Sequence, residues 1–128
     1  MMQDKNRLLL SKLGHTWILD LDGTLVKHNG YLIDGKDSFL PGAQEFLSTI
    51  PEQDMIIFLT SRKKQYENIT KEFLMEQNVR YDHIVFEAPY GERILINDKK
   101  MSGLKTAVAV NQTRDAAWDL QLYLDPSL

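Results

Sequence analysis

The stretch "TWILDLDGT" at residues 16–24 constrains the fold more than any other part of the chain. A near-continuous apolar run ends in two aspartates separated by one leucine, and Gly23 and Thr24 follow. A run of this kind, without polar alternation, predicts a strand over 16–21 buried on both faces, as in a parallel sheet covered by helices. Side chains alternate along a strand, so Asp20 and Asp22 point one way and Leu21 the other. Two neighbouring carboxylates repel, and keeping both ionised takes a compensating cation.

The rest of the chain repeats the alternation. Residues 54–60 ("DMIIFLT") predict a second buried strand; 81–87, 93–98 and 104–111 predict further short ones. Pro41 and Gly42 open a helix over 41–50, since proline suits a first helical turn. Residues 61–78 predict an amphipathic helix with Tyr66, Ile69, Phe73 and Leu74 on one face. Residues 26–37 read as a hairpin or flap, and the tail 114–124 as a helix with Trp118 and Leu122 on one side. The expectation is a single α/β domain over 1–128, a three-layer Rossmann-like parallel sheet with helices on both faces. In such sheets chemistry gathers at the carboxyl ends of strands. Asp20 and Asp22, then Thr60, then Asp98 would meet there.

Composition narrows the partners. A net charge of −3 with both signs scattered offers no basic patch for nucleic acid. No apolar segment reaches the roughly 20 residues that span a bilayer, and the apolar core of "RLLLSKLG" is too short for a signal peptide. The absence of cysteine removes disulfides and cysteine-based zinc sites, and agrees with a cytoplasmic setting. There the N-x-T matches at Asn68 and Asn111 carry no meaning.

Oxygen-only ligands suit Mg²⁺. Asp20 and Asp98 could each give one carboxylate oxygen, and Asp22 its backbone carbonyl, after a turn that Gly23 permits. Backbone N–H groups at Gly23 and Thr24 could meet an anion. Thr60 offers a hydroxyl and an amide to it, and Ser61 either joins the anion site or caps the next helix. One reaction uses all these parts. Asp20 attacks phosphorus and forms an aspartyl-phosphate. Asp22 gives a proton to the leaving oxygen and takes one from the attacking water. An EF-hand fails, because Gly23 is fourth and Tyr31 twelfth counted from Asp20. A receiver domain fails because its phosphorylated aspartate lies later in the chain.

At these residues the sequence resembles the haloacid-dehalogenase-like (HAD) phosphohydrolases. Asp20-Leu21-Asp22-Gly23-Thr24-Leu25 fits that superfamily's first motif in full. The resemblance implies Asp20 as nucleophile, Asp22 as general acid/base, Thr60 in "FLTSR" as the second motif, and Asp98 in "ILINDKK" as the acidic metal motif. Asn97 stands where many members carry another acid. The basic third motif falls to Arg93, with Lys100 and Lys99 as alternatives. Too little chain separates the motifs for a cap domain, so the resemblance is to a capless member. An open site suits a bulky substrate or one closed by a second subunit. "GERILINDKK" with "GLKTAVAVN" also looks like small HAD-like proteins of bacterial capsule and surface-polysaccharide loci, implying a phosphorylated sugar or sugar-linked phosphoester. Two alternatives stand beside hydrolysis: a phosphotransferase using the same intermediate, and a non-catalytic binding module. Plainer roles compete at single residues: a turn for Asp98, a helix cap for Thr60, solvated charge for Arg93, Lys99 and Lys100.

Overall fold

The structure is a computed structural model and describes residues 7–128. It is an α/β fold with small parallel sheets and few helices. The strands are β1 (Arg7–Leu10), β2 (Thr16–Asp20), β3 (Met55–Leu59), β4 (His83–Val85) and β5 (Gln121–Leu124). The helices are α1 (Gly30–Ile33), α2 (Ala43–Ser48) and α3 (Glu67–Glu76), the last entered through a 3-10 turn at Lys64–Tyr66.

One sheet has the order β2-β3-β4, all parallel, with Asp20 level with Leu59 and Leu59 level with Val85. Trp17 and Leu19 of β2 and Ile56 and Phe58 of β3 point to one side. There they pack with Ala43 and Phe46 of α2, Ile50, and Leu74 of α3. Leu21, Leu25 and Val26 continue this core past the end of β2, anchoring the loop that carries Asp22. Buried Asp54 locks the other end: it accepts hydrogen bonds from the His15 backbone N–H (3.0 Å) and Trp17 Nε1 (2.9 Å).

The expectation of a strand covered on both faces is corrected here. Ile18, on the face opposite Trp17, is 51% exposed, and α2 and α3 both add their buried side chains to the Trp17 side. The run "WIL" reads as doubly buried because its outward residue happens to be apolar.

Four local expectations also change. Residues 61–63 stay extended, because the Arg62 carbonyl accepts from Glu87 N–H (2.9 Å) and so is not available to a helix. The 26–37 segment is closed at its base as a hairpin or flap would be, by the antiparallel Val26–Phe39 bridge with Lys27 N–H donating to Ser38 O (3.0 Å), but its tip is a helical turn, Gly30–Ile33, entered through Asn29 at φ 57°. Residues 93–98 and 104–111 form no strand: Ile94 and Ile96 are 82% and 91% exposed and have no strand partner among the described residues. The tail is a strand rather than a helix, because β1 supplies a parallel ladder, Arg7 level with Gln121 and Leu10 with Leu124. This is tertiary pairing overriding a helical pattern. Among the described residues, no helix is long and apolar enough to cross a membrane.

Candidate active site

The chain turns sharply where β2 ends. Gly23 takes φ +80°, a conformation L side chains rarely adopt. The Leu21 carbonyl then accepts from Leu25 N–H (2.9 Å) and Val26 N–H (3.1 Å). This turn presents Asp20 and Asp22 on the wall of a cavity of about 340 Å³. Its other charged walls are Arg62, Lys63, Arg93 and Arg114, with Tyr31, Tyr90, Ser61 and His28 between them.

Each acid has its own arginine. Arg93 Nη1 lies 3.0 Å from Asp20 Oδ1, and the Thr24 hydroxyl donates to Asp20 Oδ2 at 3.0 Å. Arg62 grips Asp22 with two donors, Nε to Oδ2 at 3.0 Å and Nη2 to Oδ1 at 2.9 Å. It also reaches both oxygens of Asp37 at 2.6 and 3.0 Å, and donates to the Thr70 hydroxyl at 2.8 Å. The Tyr31 ring covers the guanidinium at 3.9 Å from its centroid, a cation–π contact. Burial alone would lower the basicity of Arg62, but Asp37 and Asp22 outweigh it and raise its pKa above the ordinary arginine value. Burial is also the first cause raising the Tyr31 pKa, followed by the charge of Asp22.

Of the residues expected from the sequence, Asp20, Asp22, Ser61 and Arg93 line this cavity. Gly23 and Thr24 do not line it, and the expected backbone donors are corrected: the Gly23 N–H donates to Val26 O (2.7 Å) and the Thr24 N–H to Leu21 O (3.2 Å), so Thr24 reaches the site only through its hydroxyl on Asp20. Thr60 does not line it: the residue is buried, its amide donates to Val85 O (2.9 Å) and its hydroxyl accepts from Arg62 N–H (3.1 Å). Thr60 thus orients the backbone of Arg62 instead of offering its amide to an anion. Asp98 and Lys100 are exposed and outside the cavity. Without a strand over 93–98, nothing carries Asp98 to the end of β2. Lys100 sits in a turn closed by Gly103 N–H to its carbonyl at 2.8 Å.

Arg62, Asp37 and Arg114 escape a reading of the sequence alone. Arg62 follows Thr60 in "LTSR", which is a signal only once the helix is known to start later. Arg114 is delivered by the tail: Asp115 N–H donates to Gly23 O (2.8 Å), Asp115 Oδ1 accepts from His28 N–H (2.8 Å), and Trp118 Nε1 donates to Thr24 O (2.7 Å).

Among the described residues, no three His, Cys, Asp or Glu side chains gather around one point that could hold a metal. The cavity brings two carboxylates together. That donor set suits an ion that takes one or two carboxylates and fills its shell with water and substrate phosphate, as Mg²⁺ does; it does not suit a fully protein-caged ion. No protein-family model, curated protein or solved structure matches the chain.

Proposed function

We propose that the chain is a capless HAD-like phosphatase, hydrolysing a phosphomonoester of a small metabolite, such as a phosphorylated sugar, through an aspartyl-phosphate on Asp20. The observation that carries this reading is the acid pair at a parallel strand end, on one cavity wall, with Arg93 against Asp20.

In this reading Arg93 turns from Asp20 to the incoming phosphoryl oxygens and neutralises them as a planar, fixed donor pair. Thr24 holds Asp20 Oδ2 through its hydroxyl, leaving Oδ1 to attack phosphorus. The P–O bond to the leaving group breaks as the Asp20–phosphorus bond forms, and Asp22 gives the leaving oxygen its proton. Asp22 then removes a proton from the water that cleaves the acyl-phosphate. Both Asp22 oxygens accept from Arg62, so the proton step requires one of those two hydrogen bonds to loosen. Mg²⁺, held by the Asp20 carboxylate and the Asp22 backbone carbonyl, would supply further positive charge against the phosphate. Asp98 is proposed as the third acid, carried by the exposed chain beyond Arg93, whose own guanidinium already reaches Asp20.

The test is phosphate release from p-nitrophenyl phosphate, with acid quenching and intact-mass measurement. A covalent phosphoryl adduct on the wild-type chain that is absent from Asp20→Asn supports the scheme. Phosphate release that survives in Asp20→Asn refutes it.

A further inference from the structure

The charges around the cavity do not cancel. Arg93 is matched by Asp20, and Arg62 by Asp22 and Asp37. Lys63 and Arg114 also line the cavity, and among the described residues neither side chain makes a hydrogen bond or ion pair. Two unmatched cations facing one space repel each other, and an anion between them removes that cost.

Arg114 is not a stray surface arginine. The backbone of Asp115 is hydrogen-bonded to Gly23, and its carboxylate to the His28 N–H. The Arg114 stem crosses the place where a Gly23 side chain would be: a Cβ there would meet Arg114 Cγ at 3.1 Å. The turn that displays Asp20 and Asp22 thus also seats Arg114. Lys63 comes from a separate segment, next to Arg62 on the extended stretch after β3.

We propose that Arg114 and Lys63 form a second anion subsite, so that the preferred substrate carries a carboxylate or a second phosphate besides the phosphoryl group that meets Asp20 and Arg93. The inference rests on the phosphoryl-binding reading of the same cavity. A substrate with one anionic group leaves Arg114 and Lys63 unmatched, and a site built for a polar group discriminates against the analogue that lacks it. The cavity, about 340 Å³, is near the lower end of the usual small-ligand range, which favours a compact metabolite.

The experiment measures affinity by calorimetry for two matched pairs: 3-phosphoglycerate against glycerol 3-phosphate, and fructose 1,6-bisphosphate against fructose 6-phosphate. The wild type binds the second-anion member of at least one pair about tenfold more tightly, the scale of a charge-assisted hydrogen bond; the larger ratio tells carboxylate from phosphate. Arg114→Ala lowers that ratio toward one by weakening the doubly anionic ligand. Lys63→Ala lowers it independently, which keeps the proposal open to refutation if one variant folds poorly. Equal affinities within both pairs, ratios unchanged in both variants, or no binding of any of the four overturn it. Hydrolysis of p-nitrophenyl phosphate, which has no second anionic group, is read separately. Turnover with flat ratios removes the subsite alone; clear ratios without phosphate release from any substrate remove the phosphatase reading and keep the subsite.

Discussion

Arg62 binds Asp22 through both carboxylate oxygens, with Nε at 3.0 Å and Nη2 at 2.9 Å. The same guanidinium holds Asp37 behind it, so one nearly buried cation is shared by two acids. Desolvating a charge this deeply is expensive unless its donors are used, and here Nε, Nη1 and Nη2 all donate. The network therefore fixes where Asp22 stands before any substrate arrives.

Removing the cation should be costly. Arg62→Met leaves Asp22 and Asp37 facing each other without their shared partner and is expected to destabilise the fold by about 3–5 kcal/mol. Asp37→Asn combined with Arg62→Met should cost less than the sum of the single changes, because the stranded acid is gone. Urea unfolding of the four proteins measures this; strict additivity would mean the residues are not coupled.

Asp20→Asn should remove phosphate release, by about a thousandfold or more for the loss of a nucleophile, while leaving the melting temperature near the wild-type value. Asp20 is only partly buried; in the asparagine the amide oxygen can still accept from Arg93, and the Thr24 hydroxyl can accept from the amide NH₂ in place of donating. Colorimetric phosphate assay and thermal melting, run together, separate a lost nucleophile from a lost fold.

The stability of the protein should fall in acid partly through Asp54. Burial would raise its pKa, but hydrogen bonds from Trp17 and His15 outweigh burial and hold it below the ordinary 3.8. A depressed carboxylate stabilises the fold fully above its unfolded value and loses that contribution as pH falls through the folded one. Asp54→Asn should therefore be less stable than wild type at neutral pH, with the gap closing below about pH 4. Melting temperatures across pH 2–7 check it; a gap that widens in acid contradicts the assignment.

Gly42→Ala should loosen the tail. Gly42 has φ +82°, and an added Cβ would sit 2.8 Å from the Trp118 backbone oxygen. Strain at such a position costs about 1–3 kcal/mol, and relief requires Trp118 to withdraw from Pro41 O and Thr24 O, its acceptors at 2.8 and 2.7 Å. Tryptophan fluorescence should shift to the red together with the lost stability.

Mg²⁺ should stabilise the wild type in thermal melts, by about 2.7 kcal/mol at a hundredfold excess over its dissociation constant, and chelation should reverse it. Asp20→Asn should lose the effect. Asp98→Asn should weaken the effect too, as a third acid would; an unchanged Mg²⁺ shift in this variant removes Asp98 from the metal set.

The acid pair was legible because its chemistry is contiguous: strand, Asp20, Asp22 and Gly23 follow one another. Arg93 was legible as a basic group ahead of an acid. Arg62 was not, because helical periodicity over 61–78 assigns it to a solvated face, whereas a hydrogen bond from Glu87 keeps that stretch extended. Arg114 and β5 were not, because their partners, Gly23 and β1, lie far back in the chain, and no local pattern encodes a distant ladder. The strand read over 93–98 failed for the converse reason: an apolar run signals a strand only where a neighbour exists to pair with it.

The clasp of Asp115 and Trp118 on Gly23 and Thr24 has a consequence for biosynthesis. A nascent chain carries Asp20 and Asp22 well before Asp115 and Trp118 are added to brace their loop. The acid pair is thus synthesised ahead of the segment that holds its turn, and a ribosome-bound fragment ending before Asp115 would carry both acids on an unclasped loop.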